Sequence, residues 1–429
     1  GTAGCLKVPQ DAANRRPGTG RGSDTGTLIT YYSRCSMTLN FSPDLPMKSL
    51  FRNCAVSLLL LSGCSAPDAG PAVVAPLLES AADRPGPGDP TDIRVRTLLQ
   101  WLHEPWGIDF LPDGRLLLTE KNGTLKLVDL ETLDAIDVAG VPASVNQGQG
   151  GLMDVLVHPA FSANGWIYLS YSIELEGGFT TRVSRARLVG GALLDQEDLF
   201  TALPAFPQRR HFGSRLLLDN GYLYVTVGDR GNRDLAQSLA THNGKVMRLH
   251  EDGRVPADNP FTGRADARPE IYTYGHRNPQ GIARHPRNGQ VWVSEHGPQG
   301  GDEINVLHAG GNYGWPIITY GREYGGDPIG EGTHRRGMHQ PLIYYVPSIG
   351  TAGMDFYTGD TYPGWGDSLL ISGLRLTRIN RLELQGDGLG TETRLLGDLG
   401  MRIRDVQVGP DGLIYALADR SRLIRLEPK

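Results

Sequence analysis

A run of polar residues follows a strand-like segment in the second half of the chain. The segment "GQVWVS" ends at Ser294, and "EHGPQGGDEIN" follows at once, with a histidine, glycines, a proline and carboxylates in close succession. Such a run offers backbone carbonyls and carboxylates either to a ligand or to water. From these residues alone, the run is interpreted as a turn that is solvated by its own carboxylates.

Two further segments place groups that could move a proton or stabilise charge beside strand-like runs. "RRHFGSRL" places His211 directly before a strand and beside Gly213. Because the unperturbed pKa of histidine lies near neutrality, His211 is a candidate general base. In "YGHRNPQG", the proline biases Asn278 toward an extended conformation and turns Arg277 and Asn278 out of the strand. A solvated turn is the alternative for this pair.

Arginines recur at strand ends near the C-terminus. "MRIRDV" presents Arg402 and Arg404 at alternate positions, and hence on one side of a strand. Two guanidinium groups on one face are unfavourable unless they meet solvent or an anion. "SGLRLTR" adds Arg375 at another strand end. The pattern predicts a pocket for a ligand with several carboxylates, which arginine binds in bidentate fashion.

Composition and motifs exclude several other classes of protein. The chain has 429 residues and a net charge of −5, with no basic run after the first hundred residues, so we expect no nucleic-acid partner. The sequence contains no G-x-G-x-x-G after a strand, no Walker motif, no H-E-x-x-H and no G-x-S-x-G. Nucleotide-binding, zinc-protease and α/β-hydrolase interpretations are therefore not supported.

The first 91 residues differ in character from the rest. All four cysteines precede residue 65, so neither a disulfide nor a cysteine nucleophile is expected in the folded domain. Residues 1–46 carry no pattern and are interpreted as an over-long start. Residues 47–64 resemble a signal peptide whose lipobox-like "LSGC" would put a lipid anchor on Cys64, although a plain secretory signal is the alternative. Residues 65–91 are rich in Ala, Pro and Gly and are interpreted as a tether.

One theme recurs from residue 92 to residue 429. A theme of alternating apolar residues beside turns such as Asp-Gly and Asn-Gly occurs in six copies, which is typical of β-hairpins. The 57 glycines and 29 prolines also favour a loop-rich β protein. Repeated hairpins predict an all-β, six-bladed β-propeller of four-stranded antiparallel blades, in preference to a sandwich. "IRVRTLLQWL", near residue 93, is expected to add a strand to the last blade and close the ring.

Long ordered motifs then relate the chain to a known family. "GQGGLMD", "HFGSRL", "HRNPQG", "SEHGPQGGDEIN", "GGNYGWP" and "RIRDV", in this order, resemble the pyrroloquinoline quinone (PQQ)-dependent soluble aldose sugar dehydrogenases of the bacterial periplasm. The resemblance extends from about residue 100 to the C-terminus. It implies oxidation of an aldose at its anomeric carbon to a lactone, with electrons passing to an external acceptor, and it implies a periplasmic location.

The resemblance also implies two calcium sites, which answers what the polar run would bind. The carbonyls of Gly297 and Pro298 would coordinate the calcium ion that holds the quinone, and calcium prefers such oxygen ligands. Glu303 and the backbone of Tyr313 would bind a second, structural calcium ion.

The remaining roles are likewise implied by the resemblance. His211 would be the base that removes the anomeric hydroxyl proton as hydride leaves for the quinone. Arg277 would stabilise the quinone oxygen as it gains negative charge. The other implied cofactor contacts are Gln149, Asn278, Tyr324, Arg375, Arg402 and Arg404.

Three departures from the family pattern bear on specificity. Arg375 stands where a lysine is frequent, which keeps the charge and alters the geometry. Arg210 stands where the glucose-oxidising members have an acidic residue, and Arg230 where they have a glutamine. Glucose is therefore not assumed as the substrate. A calcium-dependent propeller lactonase and a non-catalytic propeller lipoprotein that serves as a binding module are the alternative functions.

Overall fold

The computed structural model describes residues 92–429. The predicted start, signal peptide and tether, together with Cys64, lie outside the described residues. Within 92–429, no helix is both long enough and apolar enough to cross a membrane.

Six four-stranded antiparallel sheets form the predicted six-bladed propeller, and the fold prediction is confirmed. Helical structure in the described part is confined to one α-helical turn, α1 (Phe161–Asn164), and short 3₁₀ turns that include Arg233–Gln237 and Gly397–Leu399. From the axis outward, the blades consist of β2 (Pro105–Phe110), β3 (Leu116–Glu120), β4 (Thr124–Val128) and β5 (Ala135–Asp137); β6 (Leu152–Val157), β7 (Trp166–Leu175), β8 (Gly178–Val189) and β9 (Ala192–Thr201); β10 (Leu216–Asp219), β11 (Tyr222–Val227), β12 (Lys245–His250) and β13 (Ile271–Tyr274); β14 (Pro279–Arg284), β15 (Val291–Glu295), β16 (Asp302–Val306) and β17 (Ile343–Tyr345); β18 (Thr351–Tyr357), β19 (Ser368–Gly373), β20 (Ile379–Gln385) and β21 (Gly388–Leu395); and β22 (Ile403–Val408), β23 (Ile414–Ala418), β24 (Arg422–Pro428) and β1 (Ile93–Leu99).

The hairpin turns adopt the conformations that their residues predict. Gly114 in the Asp-Gly turn and Gly123 in the Asn-Gly turn of the first blade have φ values of 86° and 103°. These values fall in the region that glycine enters without steric cost, and so each glycine lets the chain reverse between strands.

The hydrophobic core consists of layers between neighbouring blades. Apolar residues form one buried cluster at each of the six blade junctions. In the first of these layers, Leu117 from β3 and Leu169 from β7 are buried against each other's blades. Each blade is covered on both faces by its neighbours, which explains why the middle strands carry long apolar runs.

The ring is closed by strands from the two ends of the described chain. β1 pairs antiparallel with β24, with Ile93 opposite Pro428 and Thr97 opposite Ile424. The sixth blade therefore contains β22, β23, β24 and β1, as the sequence predicts. Pairing of these strands leaves no open seam between the last blade and the first.

A repeated contact links the innermost strands around the axis. At four junctions, a buried or half-buried aspartate on one innermost strand accepts a hydrogen bond from a backbone N–H of the next blade. We call these residues the junction aspartates. They are Asp109 (to Val157 N, 2.6 Å), Asp154 (to Leu216 N, 2.8 Å), Asp355 (to Val408 N, 2.9 Å) and Asp405 (to Ile108 N, 3.1 Å).

Candidate active site

A cavity of about 600 Å³ lies at the end of the axis where the innermost strands begin. Its walls come from all six blades and their entry loops, as expected for a site at a propeller axis. Most of the predicted site residues line it. They are Gln149, Asn278, Gly297, Pro298, Tyr324, Arg375, Arg402 and Arg404.

His211 lies next to this cavity in a constrained backbone conformation. It precedes the cavity residues Phe212 and Gly213, and its φ of 56° is unusual for a residue with a side chain. Its backbone N–H donates to Oε1 of Gln149 at 2.6 Å. Gln149, which was predicted to contact a cofactor, thus also fixes the backbone of the predicted base.

The imidazole of His211 forms a hydrogen-bonded pair with Asp229, at 2.7 Å from Nδ1 to Oδ1. An ionised carboxylate only accepts hydrogen bonds, so the proton of neutral His211 lies on Nδ1 and Nε2 keeps its lone pair. Burial lowers the pKa of His211 below its usual value, and the positive charges of Arg277 and Arg210 lower it further, against the opposing effect of Asp229. At neutral pH, His211 is therefore a proton acceptor.

Asp229 is itself held by several donors. Its Oδ2 accepts a hydrogen bond from the indole N–H of Trp315 at 2.8 Å, and its Oδ1 accepts one from the Gly231 N–H at 2.7 Å. Burial alone would raise the pKa of Asp229, but the bond to His211, the Gly231 N–H and Arg277 lower it below its usual value. The carboxylate is thus ionised and aimed at the imidazole.

Arg277 connects the His211 region to the loop that contains Gly297. Its guanidinium donates to the carbonyl of Gly297 at 2.9 Å and lies 5.4 Å from the ring centre of Trp315. Its backbone carbonyl accepts the Asp229 N–H at 2.8 Å. Arg277 lines a smaller void behind Gly297 and is not among the residues that line the main cavity. The structure thus brings this predicted residue close to His211.

The predicted arginine cluster is present on one wall of the cavity. Arg404 donates to Oε1 of Gln280 at 3.2 Å, and Arg375 donates to the carbonyl of Ser348 at 3.2 Å. Burial, together with the positive charges of Arg215 and Arg402, lowers the pKa of Arg404 to about 9. Burial and Arg420 lower the pKa of Arg402 as well. These guanidinium groups repel one another, and an anion in the cavity would relieve that repulsion.

The loop around Gly297 is fixed by a carboxylate that our sequence reasoning did not assign. Asp302 Oδ1 accepts the Gly297 N–H at 2.9 Å, while Oδ2 accepts the Gly350 N–H at 2.6 Å. The hydroxyl of Ser348 donates to the same carboxylate at 2.7 Å. A Cβ on Gly297 would lie 2.1 Å from the carbonyl oxygen of Gly300, so only glycine fits there. The carbonyls of Gly297 and Pro298 are thereby held at the cavity wall.

The smaller void behind this loop contains the other predicted metal ligands. Glu303 and Tyr313 both line it, together with Glu295. Burial and the neighbouring charge of Glu295 raise the pKa of Glu303 well above its usual value. Within residues 92–429, no group of three or more His, Cys, Asp or Glu side chains could hold a metal ion. Backbone oxygens would therefore have to supply part of any coordination here.

A second group that our sequence reasoning missed lies beneath the cavity. Arg215 is buried and forms ion pairs with Asp154 and Asp405 at 2.9 Å each. Its guanidinium lies 4.2 Å from the ring centre of Trp106, which lines the cavity. The only sequence signal was an arginine within the apolar strand segment "SRLLLD". For Asp229, the available signal was an acidic residue directly after the apolar strand "YLYVTVGD".

The two unusual arginines near His211 have different environments. Arg230 is fully buried and donates to the carbonyls of Gln208 and Arg210. It cannot contact a sugar directly, so its expected effect on recognition must act through the loop before His211. Arg210, in contrast, is exposed.

Fold and site together define an enzyme-like propeller with a buried base and a cationic cavity, and comparison with known proteins identifies the class. The chain belongs to the Glucose / Sorbosone dehydrogenase family, whose profile matches residues 102–425. It is 39% identical over 349 residues to aldose sugar dehydrogenase YliI of Escherichia coli, which covers 79% of this chain and 94% of the relative. The resemblance seen in the motifs is thereby confirmed.

Solved structures agree with this family. A glucose dehydrogenase is 42% identical, with a TM-score of 0.76 over 78% of this chain and 99% of that chain. The PQQ-bound aldose sugar dehydrogenase of Streptomyces coelicolor is 26% identical, with a TM-score of 0.65 over 80% of this chain and 100% of that chain. The family and its structural neighbours are sugar dehydrogenases, and the class is oxidoreductase.

Proposed function

We propose that the protein is a PQQ-dependent aldose sugar dehydrogenase that oxidises the anomeric carbon of an aldose to a lactone. The observation that carries the proposal is the His211–Asp229 pair beside an arginine-lined cavity of about 600 Å³. The quinone named for the Streptomyces coelicolor relative supports the choice of cofactor. An external electron acceptor and a periplasmic location, with a lipid anchor at Cys64, are further parts of the proposal.

The cavity residues fit a planar ligand with several carboxylates. Arg402 and Arg404 would bind its carboxylates, because both guanidinium groups have lowered pKa values and no carboxylate partner within ion-pair distance among the described residues. Asn278, Gln149, Arg375 and Tyr324 would complete the contacts. When bound, PQQ supplies a two-electron acceptor for the hydride of the anomeric carbon.

Oxygen atoms at the adjoining loop fit calcium. The carbonyls of Gly297 and Pro298 are placed at the cavity wall by the hydrogen bonds of Asp302. Burial and repulsion from Glu295 disfavour the ionised form of Glu303, and a divalent cation bound beside both carboxylates would offset that repulsion. Glu303 and the backbone of Tyr313 would bind the structural ion.

Residues of this chain would accept the proton of the sugar and orient the groups that take part in the reaction. Nε2 of His211 accepts the proton of the anomeric hydroxyl, and Asp229 stabilises the imidazolium that forms. Trp315 and Gly231 keep Asp229 in position for this task. Arg277, fixed by the Gly297 carbonyl, places a positive charge where negative charge develops.

Reconstitution tests the proposal directly. Purified protein would be treated with calcium and PQQ, supplied with a mixture of aldoses, and assayed by reduction of a dye. We expect dye reduction that requires both calcium and the quinone. A protein that binds no quinone under these conditions would contradict the proposal and favour the lactonase or the binding module.

Removal of either cavity arginine should weaken cofactor retention. We expect Arg402→Ala and Arg404→Ala each to raise the dissociation constant for PQQ by about 10- to 100-fold, since a hydrogen bond to a charged group is worth roughly 1.5–3 kcal/mol. Titration of quinone into cofactor-free protein measures this constant. Arg254→Ala, which removes an exposed pair with Asp252, is the control and should leave it unchanged. Unaltered binding in both cavity variants would refute the carboxylate-binding role.

The pH dependence of sugar oxidation should follow His211. The base must be neutral, and its pKa is lowered from 6.5, so the rate should rise with pH through a midpoint below 6.5 and stay level above it. The reductive half-reaction, measured without an acceptor, gives this profile. In Asp229→Asn, the midpoint should move lower still, because Asp229 raises the pKa of His211. A midpoint above 6.5 in the wild type would contradict the assignment.

A further inference from the structure

We propose that the preferred sugar carries an anionic group, a carboxylate or a phosphate, and that Arg210 binds this group. The inference rests on the proposed function and specifies its substrate class. It is drawn from the position of Arg210 beside His211 and from the absence of a carboxylate partner for its side chain among the described residues.

The guanidinium of Arg210 is packed against the loop that carries Asp229. A Cβ built on Gly231 would lie 2.6 Å from Nε and 3.1 Å from Nη2 of Arg210, so this guanidinium lies directly on the Gly231 backbone. The Gly231 N–H in turn donates to Asp229. Arg210 is thus near the imidazole that would accept the proton of the sugar, and its positive charge lowers the pKa of that imidazole.

Some cations near the site have acidic partners, whereas Arg210, like Arg402 and Arg404, has none among the described residues. Arg233 forms an ion pair with Glu323 at 2.5 Å, and Lys121 forms one with Glu104 at 3.3 Å. In the part of the chain that the structure describes, no carboxylate lies within ion-pair distance of the Arg210 side chain, which is exposed to solvent. The guanidinium is therefore accessible to an anion brought by a ligand.

Arg230 fixes the segment from which Arg210 projects. Its buried guanidinium donates to the carbonyls of Gln208 and Arg210 and lies 3.4 Å from the ring centre of Phe212. Burial lowers the pKa of Arg230 to about 9, so it remains charged at neutral pH. This anchoring limits the backbone freedom that residue 210 would lose on binding an anion. The guanidinium of Arg230 also adds a second positive charge near Arg210.

The cationic groups of the site fall into two separate places. Arg375, Arg402 and Arg404 line the cavity, where carboxylates of the proposed cofactor would neutralise them. Arg210 does not line that cavity and lies on the His211 side. A charged group on a sugar whose anomeric carbon lies at His211 would bind Arg210, the residue that directly precedes His211.

The experiment compares neutral and anionic sugars in the reductive half-reaction. Quinone-loaded protein would be mixed anaerobically, without an acceptor, with glucose, glucuronate or glucose 6-phosphate. Absorbance of the quinone gives the rate of reduction divided by the sugar dissociation constant, and the two anions distinguish carboxylate from phosphate. The variants are Arg210→Ala and Arg210→Lys, with the exposed neighbour Arg209→Ala as the control.

We expect the wild type to favour at least one anionic sugar over glucose by about tenfold. In Arg210→Ala, the reduction rate divided by the sugar dissociation constant should fall by about five- to tenfold for the anionic sugar. For glucose the same ratio should stay within about twofold, since only the anion loses a charge-assisted bond. Arg210→Lys should retain part of the preference, and Arg209→Ala all of it. Anhydroglucitol 6-phosphate lacks the anomeric hydroxyl, and calorimetry gives its affinity for the protein. That affinity should also fall by about five- to tenfold in Arg210→Ala.

Two results would overturn the inference while the proposed function survives. One is a wild type that oxidises glucose at least as well as both anionic sugars. The other is an Arg210→Ala variant in which glucose and the anionic sugars are affected equally. If no sugar reduces the quinone, or if no quinone binds, the proposed function itself fails, and the inference fails with it.

Discussion

Replacement of His211 by asparagine should lower the rate of sugar oxidation by about 10²- to 10⁴-fold, the range associated with loss of a positioned general base. Nε2 of His211 is the proton acceptor in the proposed reaction, and the pair with Asp229 keeps its lone pair available. Asparagine is a better replacement than alanine because residue 211 has a φ of 56°, which asparagine tolerates. Single-turnover reduction of the bound quinone measures the effect.

The same variant should bind PQQ nearly as well as the wild type. Asn278, Arg402 and Arg404 line the cavity, and the imidazole contributes to none of their hydrogen bonds. His103→Asn, at an exposed position outside the pair, serves as the control and should keep full activity. Unchanged turnover in the His211 variant would remove the residue from the mechanism, whereas loss of quinone binding would indicate a structural role instead.

Replacement of Arg215 by methionine should reduce the free energy of unfolding by about 3–5 kcal/mol, the usual cost of removing one partner from a buried ion pair. The buried guanidinium compensates two junction aspartates, Asp154 and Asp405, and also donates to the Gln280 carbonyl at 2.9 Å. Without it, two carboxylates remain buried near each other at the axis. Chemical denaturation of cofactor-free protein measures the difference.

A compensating variant separates charge from packing. Arg215→Met combined with Asp154→Asn and Asp405→Asn removes the uncompensated carboxylates and should recover part of the lost stability. Arg254→Met, which removes a guanidinium from an exposed pair, should change stability by less than about 0.5 kcal/mol. Equal stability of Arg215→Met and the wild type would show that the three charges contribute no net stabilisation.

The sequence was sufficient for the fold because a propeller depends on a local, repeated pattern. Hairpin turns and alternating apolar residues specify each blade, and six repeats specify the ring. The closing strand could be located as well, because "IRVRTLLQWL" stands apart from the first complete blade. The junction aspartates were not predicted, since an isolated aspartate in an inner strand gives no sign that its partner belongs to the next blade.

The site was predicted in part, and the limit has a physical cause. His211, Arg277 and Arg404 could be named as candidates from their own segments, and the family resemblance supplied their roles. Asp229, Trp315 and Asp302 act through side-chain hydrogen bonds to residues far away in the chain. Such partners depend on the arrangement of blades around the axis, which no local pattern records.

The pairing of β1 with β24 makes the order of the blades along the polypeptide arbitrary. The N–H of Lys429 donates to the Asp92 carbonyl at 2.9 Å, so the two ends of the propeller lie side by side. A short linker could join them, and the chain could be opened instead at the exposed turn Gly190–Gly191, between β8 and β9. A circular permutant of this kind would keep the four-stranded pairing of every blade. The arrangement around His211 therefore depends on the closed ring and not on the point in the ring at which the polypeptide begins.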